Sequence, residues 1–258
     1  MRLGFVISPA KKMNVVEGPP YPTTTPEHIE RARRLHEALR GMTLEQAQDL
    51  WRCSDRLARA NHARLAEADL GRDLTAAVLA YEGIQYQHLA ASVLDEDGLA
   101  YLERHLRILS GLYGVLRPTD GVVPYRLEMQ ARLAMPAHGT QPATRDLYAF
   151  WGDTLAASLA RDFDHVVNVA SVEYAKAVAP HLARMGVPVL TCLFGSVRTS
   201  DGKLVQRATE AKAARGTFVR WCAERGVSTT DDLRAFDERG YRLDATQSDE
   251  DTLVFVVG

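Results

Sequence analysis

Four cations, Lys11, Arg126, Lys212 and Arg215, stand beside hydroxyls, carboxylates or glycines at the ends of apolar runs. Ammonium and guanidinium groups so placed bind the oxygens of phosphates and carboxylates. In SPAKK, Ser8 and Lys11 lie just past the run LGFVI, so a strand would fix the base of the lysine; a solvated loop lysine is the alternative. In RPTDGVVPYRLEM, Arg117, Tyr125, Arg126 and Glu128 supply two guanidinium forks, a phenol and a carboxylate, or Arg126 and Glu128 merely pair. Gly111 and Gly114 of SGLYG permit positive φ and close backbone approach, which suits either an anion cradle or a packing turn. FWGD offers Trp151 and Asp153, and NVASVEYAK offers Asn168, Ser171, Glu173, Tyr174 and Lys176. Asn168 to Ser171 spans a change from strand to helix, where free amides accept an anion, although Ser171 serves equally as an N-cap. Lys212 and Arg215 stand three apart on one helix face, as part of a site or as a solvated basic stripe. Lys11, Glu128 and Asp153 are the candidate proton-transfer groups.

The better-marked chemistries are missing. The eight histidines form no HxH, HExxH or Cys/His pair, and there is no GxxxxGK[ST], GxGxxG or GxSxG segment, so neither a metal site nor a cofactor is expected. Cys53, Cys192 and Cys222 are too few and too scattered for a disulfide framework and read as buried thiols. A net charge of -2 argues against a uniformly basic nucleic-acid protein, yet Lys203, Arg207, Lys212, Arg215, Arg220 and Arg225 follow one another closely enough to leave a local basic face open. No apolar run is long enough for a membrane span, and MRLGFVISPAKK lacks the pattern of a signal peptide, so no membrane partner and a cytoplasmic address are the expectations.

The elements that must hold these groups follow from patterning. At 258 residues, 46% apolar and 25% charged, the chain suits one large domain spanning 1–258. LGFVIS reads as a buried strand, and Gly18, Pro19, Pro20, Pro22 and Pro26 rule out regular structure from 14 to 26. Three helices should follow: one capped by Thr25 with Pro26 first, one opened by the Thr43/Gln46 capping box, one begun at Ser54 or Asp55. Further helices are expected at 95–106, across 146–162 without interruption, from Val172 with a break at Pro180, and, as an amphipathic helix, through EAKAARGTFVRWCAERG. Strands are expected at 165–171, on both sides of Asp201-Gly202, and in YRLDA and TLVFVV. Without a steady βαβ rhythm this implies an irregular mixed α/β (α+β) fold, a central mixed sheet with surrounding helices.

SGLYGVLRPTDGVVPYRLEM, taken with SPAKK, LYAFWGD, NVASVEYAKAV and KAARG in this order, resembles the YaaA family of bacterial peroxide stress proteins. The resemblance runs from residue 3 to about 255. It implies a cytoplasmic protein of the hydroperoxide response that keeps free intracellular iron low and limits Fenton damage. It also implies a mixed α/β fold with a helix-hairpin-helix element and a basic cleft for duplex DNA. That element would fall at about 43–67, with Arg52, Arg56, Arg59, Asn61 and Arg64 available for phosphates, although the glycine-rich hairpin usual in such motifs is missing. Three positions depart from the family pattern: Lys12 ends SPAKK, Ile84 in AYEGI replaces an acid, and Val256 replaces a cation of the expected cleft. The acids and hydroxyls beside the cations exceed what DNA contact requires, so an enzyme or binder acting on a nucleotide or phosphate-like small molecule stands as the second expectation.

Overall fold

A computed structural model describes residues 1–16 and 22–258; Gly18, Pro19 and Pro20 of the expected irregular stretch lie outside the described residues. The chain begins with β1 (Leu3–Ile7) and β2 (Lys12–Met13), then α1 (Ile29–Arg40), α2 (Leu44–Trp51), α3 (Asp55–Glu67) and β3 (Thr75–Ala76). Short pieces α4 (Ala77–Ala80), β4 (Tyr81–Glu82) and α5 (Ile84–Leu89) lead to α6 (Glu96–His105), β5 (Leu106–Ser110), β6 (Gly114–Leu116) and β7 (Gly121–Val122). After a long irregular segment come α7 (Leu147–Trp151), α8 (Thr154–Asp162), β8 (His165–Asn168), α9 (Val172–Ala175) and α10 (Ala179–Arg184). The chain closes with β9 (Val189–Val197), β10 (Leu204–Val205), α11 (Ala208–Arg225), β11 (Tyr241–Leu243) and β12 (Thr252–Val257).

The fold is mixed α/β around one sheet of eight strands, ordered β11-β12-β9-β8-β1-β5-β6 with β10 paired to β9. Its core is more regular than patterning suggested. β12, β9, β8, β1 and β5 all run parallel, and only β6, β10 and β11 run against their neighbours. The βαβ rhythm is hidden because the crossover from β1 to β5 carries α1 to α6 and the small ribbon of β2 and β4. Helices cover both faces. Phe5 of β1 packs on Tyr101 of α6 and Phe218 of α11, while its neighbour Gly4 lies flat against the Phe163 ring at the end of α8. Strand alternation puts these on opposite faces.

Local chemistry explains where elements differ from expectation. α1 begins at Ile29 rather than Pro26, because Glu27 and His28 are drawn sideways to α8: Arg161 and the Ser158 hydroxyl donate to Glu27, and His28 Nε2 sits 3.0 Å from Ser158 Oγ. The helix expected over 146–162 divides at Gly152, whose φ of 53° no helix accommodates. β8 ends at Asn168, where its side chain accepts the Ala170 N–H and turns the chain. Pro180 falls in the first turn of α10, where a missing N–H costs nothing. α11 is buried along most of its length rather than amphipathic, wedged between β9, α5 and α6.

Candidate functional site

β1 and β8 lie side by side at the centre of the sheet, and the chain leaves them in opposite directions, from β1 toward β5 and from β8 toward β9. Where parallel strands diverge in this way, their carboxyl ends leave a crevice with backbone groups free to receive a ligand. Ser8 follows β1 and Ser171 lies beyond β8; the Ser171 N–H donates to Ser8 Oγ at 2.8 Å and ties the two loops together. Three further segments close the crevice. The ribbon of β2 and β4 brings Glu82, Gly83 and Ile84 beside Lys11 and Lys12. Gly111, with Leu127 O against its Cα, lets the 124–129 segment cross directly over the β5–β6 corner. Helix α11, pressed onto α5 at Gly216, presents Lys212 and Arg215. The result is an open cavity of about 510 Å³ lined by SPAKK, AYEGI, PYRLEM, Ser171 with Glu173 and Tyr174, and the two cations of KAARG.

The cavity is crowded with charge. Lys11 Nζ lies against Glu128 Oε1, and Lys12 Nζ is 2.7 Å from Glu82 Oε1. Arg126 and Arg215 each bury an Nε–H that has no hydrogen-bond partner among the described residues, and Gln85 Nε2 is in the same state. Such donors cost free energy unless something accepts from them. Burial holds the Arg215 guanidinium below its ordinary pKa. Burial also raises Glu173, and Glu128 nearby adds to the effect, while the Gln130 N–H donated at 3.1 Å opposes it. Glu173 is therefore shifted toward its protonated form. The floor is phenolic. Tyr125 Oη lies 2.7 Å from Ser110 Oγ and 2.9 Å from Tyr81 Oη, and Tyr86 donates to the Ser8 carbonyl at 2.9 Å. Burial pushes Tyr125 up to about 12 and Tyr81, Tyr86 and Tyr174 well above their usual value, so these phenols remain protonated and serve as hydrogen-bonding supports.

The structure thus brings together Ser8, Lys11, Tyr125, Arg126, Glu128, Ser171, Lys212 and Arg215. It leaves other candidates apart. Arg117 is exposed at the far end of β6, where its N–H caps the turn through Asp120, because antiparallel pairing carries the chain back along β5. Asp153 lines a separate small cavity with Arg31 and Arg34. Asn168 is spent locally, holding the turn after β8 and donating to Thr191 Oγ1 at 3.4 Å. Gly111 and Gly114 resolve into a packing corner rather than an anion cradle: Leu112 and Tyr113 between them are wholly buried, and Trp151 fills the space over Gly114.

The six basic residues from Lys203 to Arg225 do not make one face; Lys212 and Arg215 enter the cavity while Arg220 pairs with Glu224 beside a different groove. Arg52, Arg56, Arg59 and Arg64 are exposed on α2, α3 and the tight turn between them, with Arg59 held by Asp55 at 2.9 Å. Gln85, Tyr86 and Glu82 were not expected in the site; they arrive because β4 and α5 are too short to register in a periodicity. Ile84 does line the cavity, whereas Val256 sits on β12 opposite Arg242 and away from it. Among the described residues no three His, Cys, Asp or Glu side chains gather as a metal site, and no helix is long and apolar enough to cross a membrane.

Comparison with known proteins accords with this arrangement of motifs. Residues 3–247 match the family model described as peroxide stress protein YaaA. The chain is 44% identical over 252 residues to a UPF0246 protein of Pediococcus pentosaceus, covering 98% of this chain and 97% of the relative. It is 42% identical over 253 residues to one from Lactiplantibacillus plantarum, covering 98% of each, and 40% identical over 255 residues to one from Lachnoclostridium phytofermentans, covering 98% and 96%. With the match running from β1 into the turn before β12, the chain belongs to the YaaA family of peroxide stress proteins.

Proposed function

We propose that this peroxide stress protein works through its central cavity, which binds a nucleotide or similar phosphate-bearing small molecule and supplies groups for proton transfer. One observation carries the reading: Arg126 and Arg215, distant in sequence, line one crevice with Glu128 and Glu173, and each keeps a buried Nε–H with no partner among the described residues. Ligand phosphate oxygens pair with the two guanidinium groups, Lys11 and Lys212 add charge at the rim, and the hydroxyls of Ser8 and Ser171 orient the ligand at the strand ends. Glu173, pushed by burial toward its protonated form, and Glu128, against Lys11 Nζ, stand in different surroundings in one crevice, which is the arrangement a donor and acceptor pair requires. A volume near 510 Å³ is that of a small-molecule site; a duplex does not enter it. Because Ile84 replaces a family carboxylate in the wall, the proton chemistry here falls to Glu128 and Glu173.

Calorimetry with inorganic phosphate and with nucleoside mono- and diphosphates tests the reading. Wild-type protein should bind at least one phosphate-bearing ligand more tightly than Arg126→Ala does, by about tenfold or more. The same variant should fail to protect cells against hydrogen peroxide. Equal binding and equal protection by Arg126→Ala would remove the cavity from the function.

Duplex DNA binding is a second reading, supported by four exposed arginines on the α2–α3 pair, where the family resemblance would put a helix-hairpin-helix element. Phosphate neutralisation there predicts a slope of about -0.9 in log K against log salt per phosphate contacted. Asp49, Asp55, Glu67 and Asp69 interrupt this surface, which favours the cavity as the principal site. Lowered free iron then follows from the chemistry of the bound small molecule or from the DNA contact, and iron loading of the isolated protein should detect no stoichiometric binding.

A further inference from the structure

FWGD is the motif that the central cavity does not use, and it forms one wall of a second hollow of about 180 Å³. The other walls are α1, through Arg31 and Arg34, and the loop from Met135 to Thr144, which closes on itself through a bridge between those two residues. The segment ERARR contains three arginines with unlike fates. Arg33 pairs with Glu30, while Arg31 and Arg34 form no ion pair among the described residues. Both are half-buried over aromatic rings: the Arg31 guanidinium lies 5.9 Å from the Phe150 ring centre and 6.0 Å from that of Trp151, and Arg34 lies 5.6 Å from Phe150. Each spends one of its five N–H groups on the protein, Arg31 on the Phe150 carbonyl at 3.2 Å and Arg34 on Gln141 Oε1. In the same hollow Thr144 Oγ1 is buried with no partner.

Two guanidinium groups of like charge that line one hollow with most of their donors unused repel one another, and an anion between them relieves that repulsion. We propose that this hollow is a second, separate oxyanion site, for inorganic phosphate or the phosphoryl group of a small molecule, held by Arg31, Arg34 and the Thr144 hydroxyl. Its volume equals the share of about six water molecules in the liquid, enough for a tetrahedral oxyanion with waters and too little for a nucleoside. Burial, followed by the charge of Arg34, keeps the Arg31 pKa below its ordinary value, and the charge of an anion between the two guanidiniums opposes both. Asp153 stands exposed at the rim and acts in the opposite sense: it attracts Arg31 and repels an incoming anion. The site does not depend on the central cavity being functional.

The test uses the full-length protein carrying Arg126→Ala, which silences the central cavity, titrated with inorganic phosphate by phosphorus NMR or calorimetry. One phosphate site should remain. Arg34→Gln should weaken it about tenfold, as expected for one charge-assisted pair. Thr144→Val, which keeps the shape and removes the hydroxyl, should weaken it several-fold, and Asp153→Asn should tighten it several-fold. If Arg34→Gln does not fold, the valine and asparagine variants decide the matter, since neither removes a packing contact. No millimolar phosphate binding in the Arg126→Ala protein, or binding indifferent to both Thr144→Val and Asp153→Asn, overturns the proposal.

Discussion

Gly111→Ala tests whether the central cavity is held open by the corner beneath it. A methyl carbon at 111 would lie 2.4 Å from Leu127 O, 3.1 Å from Leu127 C and 3.2 Å from Glu128 C, all backbone atoms. Real Cβ atoms essentially never come closer than 3.0 Å, so the 124–129 segment must retreat by at least 3.0 − 2.4 = 0.6 Å. No flexible side chain is available to absorb the shift. Overpacking of this kind costs about 1–3 kcal/mol, and the gain from a less flexible unfolded chain returns about 0.4–1 kcal/mol, which leaves a net loss of about 1–2 kcal/mol. For a chain of this length that corresponds to a fall in Tm of about 2–8 °C. The displaced carbonyl lies between Arg126 and Glu128, so the guanidinium loses register with Arg215, and affinity for a phosphate-bearing ligand should fall about tenfold. Urea denaturation and calorimetry measure the two effects. Gly71→Ala is the control: the nearest atom is Asp69 Oδ1 at 3.5 Å, ordinary contact, so neither property should suffer. A Gly111→Ala protein with wild-type stability and wild-type ligand affinity would show that the corner does not set the position of Arg126.

Three further outcomes follow from other parts of the molecule. Arg52 joins α2 to α3 at a φ of 46°, so Arg52→Gly should raise stability by about 0.5–1 kcal/mol in denaturant titration, while weakening any duplex DNA binding that uses this residue. Burial raises the thiols of Cys192 and Cys222 far above their ordinary range, so a thiol reagent should modify at most Cys53 in the native protein and all three cysteines after unfolding. Arg161 hydrogen bonding lowers Glu27 to about 2 from an ordinary 4.5, a depressed carboxylate whose contribution is present above 4.5 and is lost as pH falls toward 2. Glu27→Gln should therefore cost about 1 kcal/mol at neutral pH, allowing for solvent screening of a group more than a third exposed, and almost nothing near pH 2.

Most of the secondary structure was legible, and the reasons are local. The Thr43/Gln46 box, the Asp201-Gly202 turn and the first apolar strand are signals in which neighbouring residues satisfy one another, and each formed as read. Errors arose where a distant partner took over. The start of α1 was displaced by Ser158 and Arg161, and the amphipathic reading of α11 failed because the charges on it face a cavity, a groove and solvent in turn while α5 and the sheet bury the rest. The parallel core was hidden for the same reason, since a strand and its neighbour separated by six helices share no pattern in sequence.

The site shows this limit most sharply. Apart from the stretch of β4 and α5, each of its segments was recognisable as a polar cluster after an apolar run, yet nothing in the spacing distinguished SPAKK and KAARG, which meet, from FWGD, which meets neither. What separates them is topology. Residues placed after β1 and β8 share one crevice because those strands are adjacent and their chains diverge, and α11 reaches it because Gly216 lets the helix lie directly on α5. A methyl at 216 would fall 2.9 Å from both His88 Cβ and Leu89 N and nearer still to Gln85 O. Gly216→Ala should accordingly lose stability despite the roughly 1 kcal/mol that alanine contributes in a helix interior, and should weaken ligand binding by moving Lys212 and Arg215 away from Arg126. Wild-type affinity in that variant, measured by calorimetry, would mean that the cations of α11 line the cavity without holding the ligand.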